Sequence, residues 1–194
     1  MTGAPATTLR LSEIKRSPAQ LRTLNAALAL FAEHGVSGTS LQMIADATGV
    51  TKAAIYYQFN TKDEIVLAVA EKEMAALEQA VGRAEAASSR AEARATLLRE
   101  VVDMAVDRRA LVRALQNDPV MVRLLATHTP IADLTQRAYA LILDDGQPQS
   151  KVSAALMAGA IGAAVVHPMV DDLDDETLRR ELLAAAGRLF AVEP

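Results

Sequence analysis

The chain has no cysteine and no tryptophan among its 194 residues. The first absence excludes a disulfide framework, cysteine-ligated zinc, iron–sulfur clusters and thiol nucleophiles, and it suits a reducing, cytoplasmic compartment. Aromatic residues are 3% of the chain, so its 51% of hydrophobic residues is mostly Ala, Leu, Val and Met. That palette favours helices, and no stretch alternates apolar and polar residues as a half-buried strand would. The start, Met1 to Arg10, lacks both the charged leader and the apolar run of a signal peptide, so no targeting segment is expected. Long hydrophobic runs are also scarce. The charge-free stretch from Val152 to Val170 contains Ser153, Gly159, Gly162, His167 and Pro168. Its dense apolar part, Ala154 to Val166, is 13 residues, short of the ~20 that cross a bilayer. It suits a helix covered all round by protein, and no membrane partner is expected.

The overall charge of −4 announces no nucleic acid, but its distribution is uneven. Up to Lys62 there are six basic residues against three acidic; beyond it there are fourteen against twenty-one. A basic third on an acidic body points to an anionic partner at one end.

The first 16 residues mix Thr, Ala, Gly and Pro without a period and are expected to be a flexible tail. Ser17-Pro18-Ala19-Gln20 then reads as a capped helix start, followed by a stripe of Leu21, Leu24, Leu28 and Phe31. Gly35 is expected to end that helix in a left-handed conformation. A second short helix opens at Thr39-Ser40-Leu41-Gln42, buries Leu41, Ile44 and Ala45, and stops at Gly49. Thr51 caps a third, Lys52 to about Gln58, and Thr61-Lys62-Asp63-Glu64 opens a long fourth with Ile65, Val66, Val69, Leu77 and Val81 on one side. Further helices are predicted over 90–106, 108–117, 119–127, 131–143, 150–166 and 174–191. The fold class is therefore all-α, with about nine helices.

Helix, helix, tight turn and helix between Ser17 and Phe59 is the layout of a helix-turn-helix. The third helix exposes Lys52, Ala53, Ala54, Tyr56, Tyr57 and Gln58 while burying Ile55 and Phe59. Small residues at its start let it approach a groove floor, and its free N–H groups suit phosphate. Tyr56 and Tyr57 lie ~100° apart on a helix and cannot both face inward.

The run Leu24-Asn25-Ala26-Ala27-Leu28-Ala29-Leu30-Phe31-Ala32-Glu33-His34-Gly35 resembles the first helix of tetracycline-repressor (TetR) family regulators. The segment from Gly38 through Gly49-Val50-Thr51-Lys52-Ala53-Ala54-Ile55-Tyr56-Tyr57-Gln58-Phe59 to Ile65 resembles the rest of their DNA-binding domain, departing at Ala53, where many members have Gly. The resemblance covers about a third of the chain. It implies that Ser40 meets a phosphate and Gln42 faces the groove, with Thr51 and Lys52 at the start of the recognition helix. It also implies methyl contacts to thymine from Ala53 and Ala54, backbone phosphates for Tyr56 and Tyr57, a positioning or reading role for Gln58, and a phosphate for Lys62. Arg10, Lys15 and Arg16 would be placed to reach an adjacent minor groove.

Other chemistries find little support. His34, His128 and His167 are far apart and form no ligand pair, so no metal is expected. The acidic run Asp171 to Glu176 lacks the spacing of a calcium loop and reads as the start of a helix. The Gly159–Gly162 region is no dinucleotide fingerprint, no catalytic constellation appears, and no cofactor is expected.

The division expected is 1–16 tail, 17–62 helix-turn-helix, and 63–194 ligand-binding and dimerisation domain. Small residues recur every four positions at Ala155, Gly159 and Ala163 and at Ala154, Ala158 and Gly162, which lets helices approach closely. The resemblance implies a four-helix homodimer interface involving Ala155, Gly159, Gly162, Ala163, Leu178, Leu182, Ala185 and Leu189. A pocket for an unknown small-molecule effector is expected between the long helix and the central helices. Its candidate lining is Met74, Leu77, Met104, Arg108, Leu115, Met121, Leu125, His128, Tyr139 and Met157, and the shortage of aromatics favours an aliphatic or flexible ligand. Together these features predict a ligand-responsive transcriptional repressor that binds a palindromic operator in double-stranded DNA as a dimer.

Overall fold

The structure is a computed structural model that describes residues 10–115, 118, 123, 127–142 and 148–190. Among these residues there are nine α-helices, two short 3₁₀ turns and no strand. The helices are α1 (Pro18–Gly38), α2 (Leu41–Thr48), α3 (Lys52–Gln58), α4 (Lys62–Glu85), α5 (Arg90–Asp107), α6 (Arg109–Leu115), α7 (Thr129–Ile142), α8 (Pro148–Val165) and α9 (Asp175–Phe190). The helix expected over 119–127 lies almost wholly outside the described residues. Within them, no helix is long and apolar enough to cross a membrane.

The local signals act where they were expected. The Ser17 hydroxyl accepts from Gln20 N–H while the Gln20 side chain accepts from Ser17 N–H, closing both ends of a capping box. Thr51 caps α3 by accepting from Ala54 N–H, and Thr61 caps α4 through Glu64 N–H. For α2 the cap is Ser40, which accepts from Met43 N–H; Thr39 is buried and donates instead to the Gly35 carbonyl. Gly49 is left-handed (φ 68°, ψ 28°), which only Gly adopts cheaply. Gly35 also has positive φ (72°), but ψ 166° makes it an extended corner inside α1 rather than the left-handed stop expected. Asp174 accepts from the N–H and hydroxyl of Thr177 ahead of α9, and those bonds hold its carboxyl below the usual range.

Two cores follow from the apolar faces. The first joins Leu24, Ala27 and Phe31 of α1, Ile44 of α2 and Ile55 of α3 to Ile65, Val66 and Val69 of α4. It continues through Val81 and Leu97 to Ile131 and Leu134 of α7. This core runs without interruption across the boundary expected at 62/63. The second joins Leu98, Val102 and Val106 of α5 to Met157, Ile161 and Val165 of α8 and Leu178 and Ala186 of α9.

Two expectations need correcting. The tail expected over 1–16 is not loose from Arg10 onward. Leu11 to Glu13 forms a 3₁₀ turn, Leu11 is buried in the first core, and Ile14 packs against it. The interface set expected on the last two helices also divides. Leu178 is 1% exposed because α9 turns that residue and Ala186 onto α5 and α8, and Leu182 packs against the same core with Ala185 half-buried. Leu189 remains outside at 73% exposure. On α8, Val152, Ala155, Leu156, Gly159, Ala160 and Ala163 all lie on an exposed side, and Gly162 is half-buried.

Candidate nucleic-acid interface

Three short helices carry the candidate site. Alone, α2 and α3 fall below the length at which a helix holds in water. They persist because Ile44, Ala45, Ile55 and Phe59 are buried against α1 and α4. The burial of Ile55 and Phe59 turns the opposite side of α3 outward.

On that outer side Lys52, Ala53, Tyr56 and Tyr57 are exposed. Tyr57 is 94% exposed, the most open large side chain of the domain, and Tyr56 is 46% exposed. The Lys52 ammonium sits 5.9 Å from the centre of the Tyr56 ring, a cation–π separation. Ala54 is half-buried on the flank of the same helix. Ser40 is exposed at the start of α2, with its hydroxyl hydrogen free to donate outward while its oxygen caps the helix. Gln42 is exposed one turn further, and its amide donates to Asp46 at 2.8 Å. Ser40 and Gln42 of α2 and Lys52, Ala53, Tyr56 and Tyr57 of α3 are thus all open to solvent.

Thr51, Gln58 and Lys62 also make bonds within the domain. Gln58 is half-buried; its carbonyl accepts from the Thr23 hydroxyl at 3.0 Å and its amide donates to the Ala54 carbonyl. It ties α3 to α1. The Thr51 hydroxyl is the cap of α3. The Lys62 ammonium donates to the Val36 carbonyl at 2.9 Å and the Thr39 carbonyl at 3.1 Å. Those carbonyls end α1, where a positive charge complements the helix dipole. Asp118, which sequence reasoning missed, meets the same corner from the other side by accepting from Val36 N–H at 3.1 Å.

Of the seven candidate pocket residues whose side chains are described, three line one cleft. A cleft of about 150 Å³ opens between α4 and α5, lined by Leu77, Met104 and Arg108 of that list together with Ala76, Ala80, Glu100, Asp103 and Asp107. Its charged groups are paired: Arg108 with Glu73, Glu100 with Arg83, and Asp103 and Asp107 with Arg179. The lining is more charged than the aliphatic pocket expected. Met74 packs against the first core and Met157 is buried in the second. His128 lies 3.0 Å from Glu71, and Tyr139 is half-buried on α7. The Leu115 side chain, Met121 and Leu125 lie outside the described residues.

Comparison with known proteins bears on this geometry. Residues 24–69 match the family model described as bacterial regulatory proteins, tetR family. The chain is 30% identical over 205 aligned positions to the HTH-type transcriptional repressor Rv3405c of Mycobacterium tuberculosis, covering 98% of both chains. The chain belongs to the tetR family of bacterial regulatory proteins. The relatives matched are named as transcriptional regulators and repressors. The HTH-type transcriptional regulator AcrR of Shigella flexneri is 52% identical, but over 42 residues, which are 22% of this chain and 20% of that one. The chain covers only about a fifth of the length of that AcrR and of the probable acrEF/envCD operon repressor of Escherichia coli. The fold extends further than those short matches. A TetR-like transcriptional regulator from Rhodococcus sp. RHA1 superposes with a TM-score of 0.70 at 19% identity, covering 93% of this chain and 100% of that one. AibR, solved in complex with isovaleryl coenzyme A and operator DNA, superposes with a TM-score of 0.66 at 19% identity, covering 90% and 99%.

Proposed function

We propose that this regulator is a cytoplasmic, dimeric repressor that binds a near-palindromic operator and leaves it when a small molecule binds. The observation that carries the reading is the outer side of α3, where Lys52, Ala53, Tyr56 and Tyr57 stand clear of a helix held from behind by Ile55 and Phe59. Two such helices on a twofold axis would enter successive major grooves ~34 Å apart. In this arrangement Ser40, Tyr56 and Tyr57 bind phosphates and fix register. Gln42, Lys52, Ala53 and Ala54 face base edges, while Thr51, Gln58 and Lys62 hold the helices that present them.

The exposed side of α8 supports the dimer. Val152, Leu156 and the row Ala155, Gly159 and Ala163 form an apolar strip, and a Cβ added at Gly159 would meet nothing within 4 Å. No packing within the protomer demands a glycine there, whereas a second copy crossing at that point would. Leu189 of α9 is exposed as well and Leu178 is not. The cleft between α4 and α5 is where an effector would act, because α4 also carries Lys62 and the corner of α1. That the similar fold of AibR holds both isovaleryl coenzyme A and operator DNA supports such a pairing of ligands. By linkage, the effector must bind the DNA-free form more tightly by the factor that it weakens operator binding.

The test is selection of duplexes from random-sequence DNA by the purified protein, followed by footprinting and titration across salt. A near-palindromic site bound at nanomolar concentration, with affinity rising as salt falls and lost in Tyr57→Ala, is expected. Enrichment of no sequence, or equal binding by Tyr57→Ala, would refute the assignment.

A further inference from the structure

Three carboxylates stand seven residues apart on α4: Glu71, Glu78 and Glu85. Seven residues is close to two helical turns, so they form one row along the helix. Glu78 is 6% exposed, an unusual place for a charge, and charges are buried only when bonded. Its partners come from the segment ahead of α1. Its carboxylate accepts from Leu11 N–H at 3.2 Å, Ser12 N–H at 2.8 Å and the Ser12 hydroxyl at 2.6 Å. Two turns back, Glu71 binds the Arg16 guanidinium, half-buried one residue before the cap of α1. The other side of the row faces α7, with His128 beside Glu71 and Arg137 bridging Glu78 and Glu85.

The consequence for α1 is geometric. Its beginning is fastened to Glu71 through Arg16, and its end is fastened to Lys62 through the carbonyls of Val36 and Thr39. Along α4 those two points are nine residues, about 14 Å, apart. A helix pinned at two separated points cannot tilt against its support, and α2 and α3 pack on that helix. Arg16 is occupied by Glu71 and so is not free as an arm for an adjacent minor groove.

We propose that residues 10–16 are a strap that sets the tilt of the DNA-binding helices on α4, with Glu71 and Glu78 as positioning residues for operator binding. The inference rests on the operator-binding reading above. Neither carboxylate touches DNA; both act through the placement of α1. Weakening the strap therefore lowers operator affinity without removing a phosphate contact.

The experiment compares wild type with Glu78→Gln, Ser12→Ala and Arg16→Gln, using a duplex selected from random-sequence DNA by the wild-type protein. Affinity is titrated over a range of salt, and thermal midpoints are recorded in parallel. Affinity is expected to fall about tenfold in Glu78→Gln and about threefold in Ser12→Ala, which loses one hydrogen bond to a charged group. The slope of log affinity against log salt is expected to stay at the wild-type value in all three variants, because no phosphate contact is lost. An unchanged affinity alongside a lowered thermal midpoint would overturn the proposal, leaving the strap as support for the fold alone. A slope reduced by about two in Arg16→Gln, roughly 0.9 from each protomer, would also overturn it, since the segment would then touch DNA. If Glu78→Gln fails to fold, Ser12→Ala decides, because it retains the carboxylate and both backbone donors. If the wild-type protein selects no duplex, the operator reading falls and the strap's role falls with it; a selected duplex bound equally by every variant refutes the strap alone.

Discussion

Lys62→Met separates two jobs that a lysine at the start of α4 could have. The substitution keeps the aliphatic stem and removes the ammonium, which donates to the carbonyls of Val36 and Thr39 at 2.9 and 3.1 Å. The side chain is half-buried, so each bond is discounted from the charge-assisted range of about 1.5–3 kcal/mol to the ordinary net value of ~1 kcal/mol. Two of them give about 2 kcal/mol. For a chain of this length each kcal/mol moves the thermal midpoint by roughly 2–4 °C, so a fall of about 4–8 °C is expected. Protein concentration must be held fixed, because dimerisation alone shifts the midpoint. Operator affinity should fall too, since the corner between α1 and α2 loosens, but the salt slope should not change. A lysine that grips a phosphate behaves in the opposite way: its loss from both protomers lowers the salt slope by about 1.8 and leaves the midpoint in place. That second pattern would refute the corner-fastening argument.

Tyr57→Ala should leave the thermal midpoint within 1–2 °C of wild type, roughly the effect of a benign surface substitution, because the side chain is 94% exposed, while operator binding weakens at least tenfold. A large loss of stability would mean that the ring packs on something in solution. Leu178→Ala should cost about 2–4 kcal/mol by chemical denaturation, since the side chain is sealed between α9, α5 and α8. Leu156→Glu, by contrast, should leave the protomer folded but shift sedimentation toward monomer, and a dimer of wild-type strength would rule out α8 as the interface. Acid should undo the row on α4. Burial pushes the Glu78 carboxyl up, but bonds from the Ser12 hydroxyl and the N–H groups of Ser12 and Leu11, with Arg137 nearby, outweigh it and hold it below the usual range. Glu85 is lowered chiefly by its hydrogen bond from Arg137. The stability they lend is complete above the ordinary glutamate value of about 4.3 and is lost as pH falls through their lower folded values. A midpoint that holds from pH 7 to 5 and drops below about pH 4 is expected from calorimetry; one that is flat across pH 5 to 3 would contradict it.

What the sequence discloses about this molecule is mostly local. Caps at Ser17 and Thr61 and the left-handed Gly49 need only their own neighbours, and each stands where the spacing puts it. The outward side of α3 was legible because Ile55 and Phe59 fix what faces inward. The strap was not, since the bonds from Ser12 to Glu78 span 66 positions and leave no period in residues 10–16. The one trace available was the sevenfold spacing of Glu71, Glu78 and Glu85. The internal bonds of Lys62 and Gln58 were hidden for a related reason: a polar residue looks the same in sequence whether it points outward or ties two helices together. On α8 the difficulty is different. Apolar residues nearly surround that helix, so no stripe says which side faces α5 and which faces away. Leu178 and Leu189 of α9 likewise differ only in register, which packing against α5 decides.

The uninterrupted first core has a consequence for engineered chimaeras. Regulators of this architecture invite grafting, in which one protein's DNA-reading head is joined to another's sensor. Here Phe31 and Ile55 share a single apolar cluster with Leu97 and Leu134. A cut between residues 62 and 63 would expose the inner faces of Ile65, Val66 and Val69 on one product and those of Leu24 and Phe31 on the other. A viable graft would have to carry α4 with the head, and with it the complementary faces of α5 and α7. Reprogramming which signal this protein obeys would then mean repainting the sensor's walls in place rather than exchanging parts.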